Sequence, residues 1–173
     1  MLALVDVAYI KNVGIGGLLT FETWTAETPI AESIVRVRSL PKYVPGEFYK
    51  RELPVVLEAL RSLPPTDAIK VEAVVLDGYV WLDGDEKGVG AYLFDELGGK
   101  IPVIGVAKTI FAGGPGIPIL RGGSQRPLNI TAAGIPAAEA AALVQSMHGP
   151  NRIPTLLKRV ETLSRKAAGI RAT

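Results

Sequence analysis

The sequence predicts an α/β protein, with a mixed central sheet flanked by helices. Three observations predict it. Three strand-like stretches joined by short turns open the chain, single strands then alternate with amphipathic helices, and two more helices close it. Such a β-β-β-α-β-α-β order gives an antiparallel start, then a crossover that lays a later strand parallel to the first.

Residues 2–10 read as a core strand interrupted by Asp6, a charge that is expensive among apolar neighbours unless it binds something. A turn at Lys11-Asn12-Val13-Gly14 leads to a second strand over 15–25, carrying Phe21 and Trp24. In residues 28–38, Val35 and Val37 alternate with Arg36 and Arg38, the pattern of a half-exposed edge strand. The Tyr43-Val44-Pro45-Gly46 turn is stiffened by Pro and sharpened by Gly. Residues 47–62 place Leu53, Val56, Leu57 and Leu60 on one helical face, with Pro54 early and Pro64-Pro65 as the stop.

Residues 70–77 form a buried-type strand ending at Asp77-Gly78, followed by a Gly- and Asp-rich loop over 79–87. A short helix over 88–98 closes on Gly98-Gly99, and residues 101–107 make another core strand running into Lys108. The Gly- and Pro-rich stretch 111–127 reads as an irregular loop around a short strand at 117–120. A last strand over 128–131 precedes helices over 136–147 and 153–168. Neither a repeat nor a linker divides the chain, so residues 1–173 read as one domain.

Bulk properties narrow the chemistry. A chain of 173 residues, 48% of them hydrophobic, can bury a sizeable core. A net charge of +2 does not establish nucleic-acid binding, which needs a local basic face. The absence of cysteine removes disulfides and thiolate metal sites and is compatible with a reducing, cytoplasmic location. With one histidine, a metal site leans on carboxylates, which favours Mg²⁺ or Mn²⁺ over Zn²⁺. The start has no basic leader and reads as no signal peptide, and no apolar run reaches the roughly 18 residues of a membrane span.

Asp6, Glu52 and Asp77 are the candidate metal ligands. Two-metal phosphodiester hydrolysis needs hard oxygen ligands, and two aspartates on neighbouring strands with a glutamate reaching over from a helix supply them. The competing reading makes Asp77 a turn residue and Glu52 a solvated helix charge. Lys108, at a strand end, is either a phosphate contact or a snorkelling charge. Tyr43 on its rigid turn is either a wedge that opens a base stack or a ring packed on its own surface. Arg121 and Arg126, and the C-terminal cations Arg152, Lys158, Arg159, Arg165 and Lys166, could follow a phosphate backbone or form solvated faces. Asp83, Asp85 and Glu86 read as surface charges, one of which could add a ligand, and His148 reads as a helix-end residue.

These residues resemble the endonuclease V family. The likeness lies in Leu4-Val5-Asp6-Val7-Ala8-Tyr9, in Tyr43-Val44-Pro45-Gly46 with Arg51-Glu52-Leu53-Pro54, in Val75-Leu76-Asp77-Gly78, and in Pro102-Val103-Ile104-Gly105-Val106-Ala107-Lys108. The resemblance implies a ribonuclease H-like fold and Mg²⁺-dependent cleavage of DNA or RNA 3′ to a deaminated base, in nucleic-acid repair. It implies Asp6, Glu52 and Asp77 as metal carboxylates and Lys108 on the phosphate side. It also implies a wedge of Tyr43, Val44 and Pro45, with Gly46 and Gly78 at the substrate. The chain departs from the family where Asp-Gly is usually followed by His-Gly and a His-Pro-Arg element: here Tyr79 takes the first histidine's place and Asp83 stands near the second. The family's late Gly-His is replaced by Ala133-Gly134-Ile135-Pro136. Two other readings stand beside it: a divergent ribonuclease H-like nuclease with a rebuilt pocket, and a weakly catalytic nucleic-acid-binding protein. The oligomeric state stays open.

Overall fold

The computed structural model describes residues 1–110 and 114–170. The start of the loop expected over 111–127 therefore lies outside the described residues. Seven strands form one sheet: β1 (Leu2–Ile10), β2 (Val13–Phe21), β3 (Ala31–Val37), β4 (Ala73–Asp77), β5 (Val103–Ala107), β6 (Ile117–Ile119) and β7 (Leu128–Ala133), in the order β3-β2-β1-β4-β5-β7-β6. The helices are α1 (Tyr49–Arg61), α2 (Pro65–Ala68), α3 (Val89–Glu96), α4 (Ala137–Ser146) and α5 (Thr155–Ala167). The short α2, begun by Pro65, was not expected from the sequence.

The first three strands form the antiparallel meander, and β4 lies parallel to β1. The β1–β4 ladder runs only from Leu2↔Ala73 to Val5↔Leu76. Asp6 and Asp77 therefore stand where the two strands part. The mixed sheet flanked by helices is the expected architecture, and β3 is the expected edge strand.

Side-chain alternation sorts the two faces. Leu2 and Leu4 of β1 pack into one core with Val75, Leu157 and Val160, under α4 and α5. Ala3 and Val5 pack into the other with Val56, Ala59 and Leu93, under α1 and α3. Asp6 shares the face of Leu2 and Leu4, so it meets α5.

Glycines in β2 set how close the helices come. A Cβ on Gly17 would lie 3.2 Å from the Ser164 nitrogen and 3.2 Å from the Val160 carbonyl oxygen, both on α5. On the opposite face a Cβ on Gly16 would sit 3.1 Å from Val55 Cγ1 of α1. Gly17 is paired with Asp6, so this close approach lays α5 directly beside that carboxylate.

Gly17→Ala is expected to destabilise the protein by about 1–3 kcal/mol, because the new methyl meets helix backbone that cannot move alone. Urea unfolding checks this, and unchanged stability would show that α5 tolerates displacement.

Candidate metal and nucleic-acid site

Asp6, Glu52 and Asp77 line one pocket of about 630 Å³, together with Gly46, Phe48, Gly78 and Tyr79. Glu52 lies in the first turn of α1, where the helix dipole favours a negative charge. The preceding Arg51 is buried and fixes that turn. Its guanidinium donates to the Pro41 carbonyl and, at 3.1 Å, to the Lys11 carbonyl, and stacks 5.3 Å from the Tyr9 ring centre. The apparent Arg-Glu pair of the sequence is thus a structural anchor followed by a site residue.

Two residues that sequence reading missed complete the cluster. Ser164, fully buried on α5, donates its hydroxyl to Asp6. Glu161, one turn earlier, lies 3.3 Å from the Lys108 ammonium, which also donates to Asp77. No sequence motif marks either, although Ser164 interrupts the apolar face of α5 and that interruption was a usable signal.

The electrostatics are strained toward protonation. Burial pushes Asp6 up to about 6; Asp77 and Glu161 add to this, while the Ser164 hydrogen bond and Lys108 oppose it. Burial, then Asp6 and Asp77, push Glu52 up to about 8. Burial works against the Lys108 charge, but Asp77 and Glu161 outweigh it and hold the ammonium above its ordinary value. Glu161 is held below its ordinary value: burial opposes this, and Lys108 and Lys158 prevail.

Among the described residues, no three acidic or histidine side chains are drawn together into a ready metal cluster. Asp6 is turned to Ser164 and Asp77 to Lys108. The donor set nonetheless suits a hard divalent cation: three carboxylates share one pocket, and two are pushed toward their neutral forms by burial and mutual repulsion. The Tyr9 hydroxyl, an electrostatic neighbour of Glu52, is buried without a hydrogen-bond partner.

The other expected residues fall around this pocket. Tyr43, Val44 and Pro45 are exposed and stand outside its lining, whereas Gly46, at φ +81°, is part of its wall. Phe48, which the sequence reading did not single out, lies 42% exposed and edge-on to Tyr43 at 6.3 Å, so the aromatic tip has two rings. Gly78 leaves open space where a side chain would stand. Its loop crosses β5 at Gly105, where a Cβ would lie 2.6 Å from the Gly78 carbonyl oxygen, and Val80 N–H donates to Thr131 at 2.8 Å. Tyr79 is in the pocket wall and donates to the Thr109 carbonyl at 2.6 Å.

Several alternatives resolve. Asp83 is exposed and outside the pocket lining, whereas Glu86 is in it. Arg121 is buried and spends its guanidinium on the carbonyls of Met147, Gly149, Asn151 and Arg152, so it follows no phosphate backbone. Lys158 and Arg165 pair with Glu161, and Arg159 pairs with Glu32. Arg152 holds the Lys108 and Pro127 carbonyls. His148 bonds Thr155 and approaches Glu27 at 3.3 Å, as a helix-end residue.

The endonuclease V family model matches residues 1–137. The chain belongs to the endonuclease V family. The endonuclease V of Azotobacter vinelandii is 39% identical over 84 residues, covering 49% of this chain and 35% of that protein. That of Xanthomonas axonopodis pv. citri is 37% identical over 106 residues, covering 56% of this chain and 42% of that protein. The chain thus spans less than half the length of these curated relatives. The crystal structure of the Streptomyces avermitilis endonuclease V superposes with a TM-score of 0.77 at 26% identity, covering 97% of this chain and 81% of that one. The Ciona intestinalis endonuclease V, in complex with a 24mer DNA containing an inosine followed by a ribo-adenosine, superposes at 0.79. At 17% identity, over 97% of this chain and 85% of that one, the Ciona structure shows shared fold. The fold is that of the endonuclease V structures, which is ribonuclease H-like.

The ordinary values are 3.8 for Asp6 and 4.5 for Glu52, and the folded values are higher, so the folded chain holds protons that the unfolded chain has released. Unfolding free energy therefore falls as pH rises from about 4 through about 8. In chelator, the melting temperature is expected to drop between pH 5 and 8.5, and Glu52→Gln to flatten the drop and raise the melting temperature at pH 8.5. A flat wild-type profile contradicts the crowding of these carboxyls.

Proposed function

We propose that this chain is a metal-dependent endonuclease that cuts a phosphodiester bond 3′ to a deaminated base, inosine or deoxyinosine, in nucleic acid. The observation that carries the reading is the shared pocket: Asp6, Glu52 and Asp77 beside Lys108, in a chain of the endonuclease V family. Residues 1–173 would act as a single domain, supported by one sheet that runs from β1 to β7.

Asp6, Glu52 and Asp77 would hold Mg²⁺, with Mn²⁺ as a substitute. When bound there, such an ion stabilises charge building on the phosphoryl oxygens. Ser164 would orient Asp6 through its hydroxyl, at the wall of the same pocket. Lys108, held protonated beside Asp77 and Glu161, would exchange one of them for a phosphate oxygen. Tyr43, Val44 and Pro45 would open the base stack. Gly46 and Gly78 would leave room for the extruded base in a pocket whose size lies inside the usual small-ligand range of about 300–1,000 Å³.

A second reading, a ribonuclease H-like nuclease with another substrate, rests on Tyr79 in the pocket wall, where the family's histidine is replaced. One experiment separates the two. Purified protein with Mg²⁺ or Mn²⁺ is given DNA and RNA strands bearing a single inosine, alongside inosine-free controls. The proposal expects cuts 3′ to inosine, lost in Asp77→Asn with folding intact. Equal cutting of the controls supports the second reading, and no cutting with either metal overturns both.

Ser164→Ala is expected to lower apparent metal affinity or activity about 10–100-fold, the usual effect of removing a group that orients a ligand. A metal titration of the cleavage rate checks it; an unchanged rate and midpoint would reduce Ser164 to a packing residue.

A further inference from the structure

We propose that a groove beside β3 is a second nucleic-acid contact, one that takes the sugar-phosphate backbone of the strand flanking the pocket. The inference rests on the nuclease reading and extends it to a different surface. The groove, about 690 Å³, is lined by Arg36, Arg38 and Lys42 over a floor that includes Ile10, Val13 and Leu40. Among the described residues, no carboxylate lines it.

Its charge is uncompensated. Among the described residues, the ion pairs take up Lys108, Lys158, Arg159 and Arg165 but none of these three. Arg36 makes one long hydrogen bond, 3.4 Å, to the Ala167 carbonyl. In a chain of net charge +2, three unpaired cations around one concavity are a local concentration of positive potential.

Edge protection accounts for part of this pattern, since outward arginines keep an edge strand from pairing with another chain. It does not account for Lys42, which lies beyond the strand. The backbone turns back there: Ser39 sits at φ +61°, and Leu40 N–H donates to the Asn12 carbonyl at 3.0 Å. That turn carries Lys42 onto the same groove as the arginines.

The groove also connects to the site. Lys42 borders the groove, exposed Tyr43 follows it, and Gly46 borders the carboxylate pocket. A strand threaded past Tyr43 into the pocket therefore meets Lys42 and then the arginines. Cations match its phosphates, and the apolar floor matches the sugar faces.

The test is fluorescence anisotropy of a labelled single-inosine oligonucleotide in chelator, from about 50 to about 200 mM salt, so that binding is read without cleavage. Arg38→Gln/Lys42→Gln is compared with Arg61→Gln/Lys100→Gln, a pair of exposed cations outside the groove that changes net charge equally. Each lost phosphate contact removes about 0.7–0.9 from the slope of log affinity against log salt, so the groove pair is expected to flatten it by about 1.4–1.8. The control pair is expected to change it by less than half as much, with the melting temperature of both double variants at wild type. Equal slopes in the two double variants overturn the groove, even if the wild type cuts at inosine. A slope lost only in the groove pair, in a wild type that does not cut, upholds the groove and overturns the nuclease reading. A wild type that binds no oligonucleotide overturns both.

Discussion

The mutual repulsion of Asp6, Glu52 and Asp77, which line one cleft where β1 and β4 separate, is the constraint that the neighbouring elements answer. Their ladder ends at Val5↔Leu76, so the next residues on β1 and β4, Asp6 and Asp77, project from the parting strands. Glu52 comes over from α1, and Glu161 from α5. Lys108 relieves Asp77 and the Ser164 hydroxyl relieves Asp6, while Lys158 and Arg165 join Lys108 around Glu161. Proton uptake is one way to ease the repulsion, and a bound cation is the other.

The chain spends specific residues on keeping the cleft in that condition. Gly17 admits α5 close enough for Ser164 to reach Asp6. Arg51 ties the first turn of α1 to the base of the aromatic loop and to the β1–β2 turn, which fixes Glu52 beside the pocket and Tyr43 outside it. Gly105 lets the Gly78 loop lie flat across β5, so the pocket keeps an open side. The same interactions that position the acids therefore position the substrate surfaces around them.

Much of this was legible in the sequence, and the limits have physical causes. Apolar runs marked β1, β4 and β5 because buried strands leave little freedom of composition. Asp6 stood out because a charge inside such a run has few structural excuses. Ser164 and Glu161 stayed hidden because they sit 158 and 53 residues along the chain from Asp6 and Lys108, the groups they touch, and their helix reads as amphipathic with or without them. Arg121 looked like a phosphate contact because composition cannot show that four carbonyls consume its guanidinium. The C-terminal cations looked free for the same reason, although Glu161 and Glu32 neutralise three of them.

Calorimetric titration of Mn²⁺ at pH 7, repeated in buffers of different ionisation enthalpy, measures the ion and the protons it displaces in one experiment. The account predicts saturable binding with proton release, because Glu52, pushed up to about 8, still holds most of its proton at pH 7 and a cation must expel it, and reduced release in Glu52→Gln. Binding without proton release, or release that Glu52→Gln leaves untouched, would contradict it.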